Sequence, residues 1–285
     1  MKPAPFDYHA ARTVEEAVAL LAEYADRDGR IIAGGQSFVP MMAFRLARPS
    51  HVIDINGIAA LGRLAVEGEV LRIGAVVRHA ALETLGCAGV LGRLLSQMAR
   101  LIAHKPIRNR GTFCGSIVNA DPAAEWCLAA VTLGAEIVAQ SVREIRVLGA
   151  DGFFTGAMTT TLAPDELVTE CRIPLLRDGT RFGFDEVSRR AGDFAMAAAL
   201  ATYRVEDGRI VEPRIGVGGV EPCPKRIAAA EARLAGAAPD HRLFAAAASE
   251  AAAAVEPMDD GEASRGYRQR LVRAVVTRAL ERSLS

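Results

Sequence analysis

The sequence predicts a mixed α/β chain of α+β type in two domains, and three observations carry that expectation. Its 285 residues are roughly twice the length of a common domain. Short apolar runs bounded by Gly, Pro and Asp alternate with stretches whose apolar residues recur at helical spacing. The last third becomes alanine-rich and helical in period.

The elements follow in order. Thr13 and Glu16 form a capping-box pattern, and Val14, Ala17, Val18 and Leu21 recur at helical spacing, which predicts a helix over 13–24. Ile31-Ile32-Ala33 reads as a strand running into Gly34-Gly35, and Val52-Ile53-Asp54-Ile55 as another, so the opening is a small α/β unit. Leu64 to Ile73 reads as a hairpin turning at Gly68. A helix is expected over 90–103, strand material over 138–147, and a strand over 166–173 ended by Pro174. Leu175 to Thr180 is polar and turn-like, and the main boundary is placed there.

Beyond it, 195–205 and 210–217 read as strands paired around Asp207-Gly208, a type I′ signal, although Met196 to Ala201 fits strand or helix equally. Helices are expected over 227–235, 241–255 and 264–283. Tyr267, Leu271, Val275 and Leu280 give the last an apolar face suited to covering a sheet.

Lys and Arg number 34, as do Asp and Glu. A nucleic-acid partner is therefore not expected, because sequence-independent binding draws on a positive excess. The five cysteines form no C-x-x-C pair, the nearest two being Cys114 and Cys127. That argues against a metal site or disulfide framework and for a reducing compartment. The longest apolar stretch, Cys127 to Ala135, is about half of a membrane span, and the N-terminus lacks a secretory pattern, so a cytoplasmic protein is expected.

Two segments carry chemistry. Ala33-Gly34-Gly35-Gln36-Ser37 closes a strand with adjacent glycines, whose open dihedrals let backbone N–H groups converge on an anion. Asn109 to Ser116 places hydroxyl and amide donors between Gly111 and Gly115; Asn119 to Glu125 follows, with Asp121 expected to cap a helix opening at Pro122. Two such loops suit a diphosphate bridged across a cleft, with the acids near ribose. No G-x-G-x-x-G after a strand and no Gly-Lys-Ser/Thr occurs. The histidines show no metal-ligand spacing and each reads as structural, and there is no G-x-S-x-G elbow. No catalytic side chain or metal ligand is assigned, so the chemistry is expected to belong to a cofactor.

On these segments, and on Phe6-Asp7-Tyr8, Arg45 to Pro49, Ile73-Gly74-Ala75, Pro164 to Leu167 and Arg189 to Ala195, the chain resembles the FAD-binding medium subunit of the molybdenum hydroxylases, the xanthine dehydrogenase and carbon monoxide dehydrogenase family. The resemblance implies a vanillyl-alcohol-oxidase-like, PCMH-type FAD-binding domain over 1–177, in subdomains of about 1–56 and 57–177. It further implies an α+β domain over 178–285 with a three-stranded antiparallel sheet and helices.

The flavin would lie between the two subdomains. Ala33, Gly34, Gly35, Gln36 and Ser37 would hold the pyrophosphate from one side, and Gly111, Thr112, Cys114, Gly115 and Ser116 from the other. Asp121 or Glu125 would meet the ribose or adenine end, Ile102 and Val168 the isoalloxazine, and Phe194 would edge it. Ile32, Phe38, Ala103, Ile107, Val118 and Asn119 complete the implied contacts.

The resemblance also implies a relay. A large partner with a molybdenum cofactor hydroxylates substrate, with an N-heterocycle preferred, and a small partner with two iron–sulfur clusters passes electrons to this chain's FAD. The assembly would be a dimer of heterotrimers. A self-sufficient FAD oxidoreductase and a scaffold without FAD are the alternatives. Where the family commonly has Thr-Ile-Gly-Gly-Asn, this chain has Thr112-Phe113-Cys114-Gly115-Ser116. A negative φ is therefore expected at Cys114. Glu186 stands where relatives often carry Lys, and a more negative field at the flavin is expected there.

Overall fold

The computed structural model describes residues 1–84 and 86–284. Its first layer is a three-stranded parallel sheet of β1 (Asp7–Ala10), β2 (Gly29–Ile32) and β3 (His51–Asp54), with β3 in the centre. Helix α1 (Val14–Tyr24) begins as expected: Thr13 Oγ1 accepts from the Glu16 N–H at 3.1 Å. The Glu16 carboxylate reaches back one residue beyond the capping box, accepting from the Arg12 N–H at 2.7 Å. Helix α2 (Phe38–Ala43) lies between β2 and β3.

The second sheet is antiparallel, in the order β4 (Leu64–Glu67), β5 (Val70–Gly74), β10 (Leu167–Pro174), β6 (Glu136–Gln140), β7 (Ile145–Gly149). Between β5 and its later strands the chain forms α3 (His79–Glu83), α4 (Gly89–Leu101), α5 (Lys105–Arg108), α6 (Phe113–Asn119) and α7 (Glu125–Leu133). The segment expected as strand over 138–147 is two strands, β6 (Glu136–Gln140) and β7 (Ile145–Gly149), because Ser141 to Glu144 closes a turn between them. The pair β8 (Phe154–Gly156) and β9 (Thr159–Thr160) precedes β10 (Leu167–Pro174), which is central and ends at its proline.

The third sheet has four antiparallel strands rather than the expected three: β11 (Arg181–Val187), β12 (Ala197–Glu206), β13 (Arg209–Gly218) and the two-residue edge β14 (Lys225–Arg226). Asp207 and Gly208 both take positive φ, 49° and 74°, as a type I′ turn requires. The ambiguous alanine run is strand β12. Its odd positions Ala197, Ala199, Ala201 and Tyr203 pack in one core, while Ala198 and Leu200 enter the other. A strand buried on both faces loses the alternation that marks strands in sequence.

Helices α8 (Ala228–Leu234), α9 (His241–Ala253) and α10 (Arg265–Arg282) cover one face of that sheet, with Leu271, Val275 and Leu280 of α10 buried as expected. The opposite face rests on α7: the Arg214 guanidinium donates to the Leu133 carbonyl at 2.7 Å, and an added Cβ at Gly216 would fall 1.8 Å from Thr132 Oγ1. Among the described residues no helix is long and apolar enough to cross a membrane.

Candidate functional site

The first loop leaves β2 at Ala33. Gly35 takes φ +69°, a conformation costly for a side-chain-bearing residue. Gln36 folds back so that its Nε2 donates to the Gly34 carbonyl at 2.9 Å. Ser37 is exposed and precedes α2 without a capping bond from its hydroxyl. Ile32 and Val39 flank Gly35, 3.3 and 3.2 Å from where its Cβ would stand, and Phe38 is half-buried.

The second loop opens α6. Thr112 Oγ1 accepts from the Gly115 N–H at 3.0 Å, and Thr112 is buried at that cap. Cys114 lies inside α6, among residues of negative φ as expected, with its Sγ 3.3 Å from the Ile73 carbonyl. Burial pushes its thiol up to about 12, so it stays protonated and inert. Gly115, Ser116 and Asn119 are half-buried, and Val118 is exposed.

The two loops touch. A Cβ at Gly34 would fall 2.5 Å from the Arg110 carbonyl oxygen and 2.6 Å from Gly111 Cα, so the loops pack backbone against backbone. Behind them stands His79, whose Nε2 would lie 2.6 Å from a Cβ at Gly111. Trp126 Nε1 donates to His79 Nδ1 at 2.9 Å, which leaves the ring proton on Nε2. Burial, and then Arg108 and Arg78, hold its pKa down at about 4; it is the structural, neutral histidine that the sequence suggests.

At the far end of the second loop the expected cap is absent. α7 starts at Glu125 with Ala124 as its N-cap, and Asp121 instead closes a turn by accepting from the Ala123 N–H at 2.9 Å. Ala120, at φ 51°, ends α6 as its left-handed C-cap, and the Asp121 carbonyl accepts from the Ala124 N–H at 3.0 Å, so residues 121–124 form a turn before α7 begins.

Burial raises the Asp121 carboxyl and raises Glu125 to about 7, with the Asp121 charge adding to the latter. Glu186 on β11 reaches about 8, through burial first and then Glu125 and Asp185, and its buried Oε2 has no hydrogen-bond partner among the described residues. The expected negative field at this position is corrected: at pH 7 the Glu186 side chain is mostly neutral.

Ile102 is buried and Ala103 takes φ 42°; both carbonyls accept from Arg108 Nη1, at 3.0 and 2.9 Å. Half-buried Ile107 accepts from the Gly111 N–H at 2.7 Å, which joins this turn to the second loop. A Cβ at Gly192 would fall 2.5 Å from the His104 ring, so the segment carrying the exposed Phe194 (65 %) meets the same turn. Val168 is buried in the larger core at a bulge in β10. Asn56 and Arg78, which sequence reasoning passed over, bond to the two loops; no local signal marks them.

The geometry fits a dinucleotide cofactor: adjoining backbone walls, a left-handed glycine, and half-buried small residues on both sides. Comparison with known proteins agrees. Residues 4–176 match the family described as FAD binding domain in molybdopterin dehydrogenase, and residues 182–283 the CO dehydrogenase flavoprotein C-terminal domain. The chain is similar to the 6-hydroxypseudooxynicotine dehydrogenase complex subunit alpha of Paenarthrobacter nicotinovorans, 38% identical across 100% of this chain and 96% of that one. It is also similar to the caffeine dehydrogenase subunit beta of a Pseudomonas species, 37% identical across 99% and 96%.

Among solved structures, a chain of the carbon monoxide dehydrogenase of Hydrogenophaga pseudoflava superposes with a TM-score of 0.94 at 35% identity, covering 100% of this chain and 99% of that one. Quinoline 2-oxidoreductase from Pseudomonas putida 86 gives 0.93 at 34% identity, covering 99% and 98%. Fold and site thus define an FAD-binding oxidoreductase subunit. The chain belongs to the medium subunits of the molybdenum hydroxylases, whose members are parts of multi-subunit dehydrogenase complexes.

Proposed function

We propose that this chain is the electron-relay subunit of such a complex, placed between iron–sulfur clusters on a small partner and a terminal acceptor, while a large molybdenum-cofactor partner hydroxylates the substrate. The carrying observation is the backbone contact of Gly34 with Arg110 and Gly111, which brings two polar loops from distant parts of the chain to one place. FAD, when bound, supplies the exchange of electrons singly or in pairs. The protein's own residues bind and orient. Ala33 to Ser37 would hold the diphosphate from one wall and Gly111, Thr112, Cys114, Gly115 and Ser116 from the other, Asp121 or Glu125 would face the ribose or adenine end, and Ile102, Val168 and Phe194 the ring.

We read the chain as an FAD-binding domain over 1–177, in subdomains of about 1–56 and 57–177, followed by a domain over 178–285. The parallel sheet, the five-stranded sheet and the four-stranded sheet fall one in each span, which supports that division. A dimer of heterotrimers is the assembly we infer. An N-heterocycle is the substrate class we infer, since nicotine, caffeine and quinoline appear in the names of relatives.

The test is Gly35→Val and Gly115→Val. The first forces a branched side chain to φ +69°, and the second places a Cβ 2.5 Å from Thr112 Oγ1. Both variants should lose FAD, read as flavin absorbance per protein, while far-UV circular dichroism stays near that of the parent. Stoichiometric FAD in both would overturn the assignment. Reduction of the bound flavin by the co-purified complex and its substrate, but not by substrate and the isolated chain, is the expected signature of a relay.

A further inference from the structure

We propose that Arg78 is a positioning residue for FAD: its guanidinium ties the first loop to the second and sets the register in which both face the cofactor. The inference rests on the reading of those loops as the FAD cradle.

The backbone of residues 77–79 is a strand partner of the second loop. The Phe113 N–H donates to the Val77 carbonyl and the His79 N–H to the Gly111 carbonyl, each at 3.0 Å, around an isolated bridge between Arg78 and Thr112. The Arg78 side chain then reaches to both walls. Nη1 donates to the Arg110 carbonyl, and Nη2 donates to Asn56 Oδ1 at 2.6 Å.

Asn56 passes the tie onward. Its Nδ2 donates to the Ala33 carbonyl at 2.7 Å and to Asp54 Oδ1 at 2.6 Å, while its backbone N–H donates to the same Asp54 oxygen at 2.8 Å. The amide therefore has one orientation, with its oxygen toward the guanidinium and its nitrogen toward two acceptors.

The two ends of this chain of bonds are the points where the loops meet. The Arg110 carbonyl held by Arg78 is the atom that stands 2.5 Å from a Cβ at Gly34, and the Ala33 carbonyl held by Asn56 belongs to the preceding residue. A planar guanidinium can serve two oxygens in different directions at once. A lysine ammonium keeps the charge but not that fork.

FAD affinity of the full chain, stripped of flavin and titrated with FAD by fluorescence quenching, tests the tie. Arg78→Met and Asn56→Leu should each weaken binding about tenfold or more. The double variant should bind no more weakly than the weaker single, because both changes cut one path. Arg78→Lys should not restore affinity at any ionic strength.

Binding by Arg78→Met within about twofold of the parent would overturn the proposal. So would multiplicative losses in the double variant, or a salt-sensitive recovery by Arg78→Lys, which would make Arg78 a plain countercharge. If Arg78→Met does not fold, Asn56→Leu and Arg78→Lys decide by the same readings. Gly35→Val separates the two levels. If it also binds FAD normally, the cradle itself is misassigned; if it alone loses FAD, only the tie fails.

Discussion

The two loops that meet at the candidate cofactor site are built on opposite principles. The first, 33–37, is half-exposed and held by backbone conformation: a left-handed Gly35, a Gln36 side chain folded onto the Gly34 carbonyl, and a Ser37 hydroxyl that caps nothing. The second, 111–116, is mostly buried and held by packing: Thr112 spends its oxygen on the Gly115 N–H, and Cys114 fills space beside Ile73. Small residues are needed in both, for approach and dihedral freedom in one and for volume in the other. That difference explains why the second loop accepts Cys114, a residue with a side chain, where no left-handed φ is required.

The largest effect expected from breaking this contrast is at the contact itself. Gly34→Val would drive a branched Cβ into the Arg110–Gly111 backbone, which cannot rotate away as a side chain could. It should cost about 3 kcal/mol or more and abolish FAD retention together, read as melting temperature and flavin content.

A smaller pair sharpens the contrast. Thr112→Ala removes a cap and should cost about 1 kcal/mol in the flavin-free chain, whereas Ser37→Ala should leave that chain's melting temperature unchanged. Equal destabilisation by the two would show the first loop to be packed like the second.

A further effect, seen only when pH is varied, concerns the acids behind the second loop. Glu186, raised from 4.5 to about 8, binds a proton in the folded chain that it releases when unfolded. Stability from this group is therefore greatest below about pH 4.5, falls as pH rises toward about 8, and is level above. Glu125, raised from 4.5 to about 7, contributes in the same direction over pH 4.5 to 7. Glu186→Gln should gain on the parent by on the order of 5 °C or more between pH 5 and pH 8 in thermal melts, since a shift of this size is linked to roughly 3 kcal/mol over that range. A parallel pair of melting curves across that range would mean that Glu186 is ionised at neutral pH.

Much of this was legible in the sequence because it is local. Adjacent glycines after a strand, Asp207-Gly208 between apolar runs, and the period of 264–283 each encode their structure within a few residues. What escaped is set by topology. Strand β11 escapes because Arg181 to Val187 carries Gly183, Asp185 and Glu186 among its apolar residues, and its two faces are buried by distant parts of the chain, Gly183 against α10 and Phe184 in the larger core. The edge strand β14 is two residues, Lys225 and Arg226, with no pattern to read. Arg78 and Asn56 resemble ordinary surface residues until residues 77–79 pair with 111–113 and bring three segments together. For the same reason the acid at 186 looked like a charge in sequence and is mostly a neutral acid in the fold, since burial is a property of its neighbours.

The seat of β13 on α7, where Gly216 leaves no room for a side chain above Thr132, has a consequence for how such proteins can be recombined. A graft that exchanged the four-stranded sheet between relatives but left the underlying helix behind would join two surfaces shaped for other mates. Viable crossovers would have to carry helix and sheet as one inherited block, and a calorimeter should register their loss as a single event.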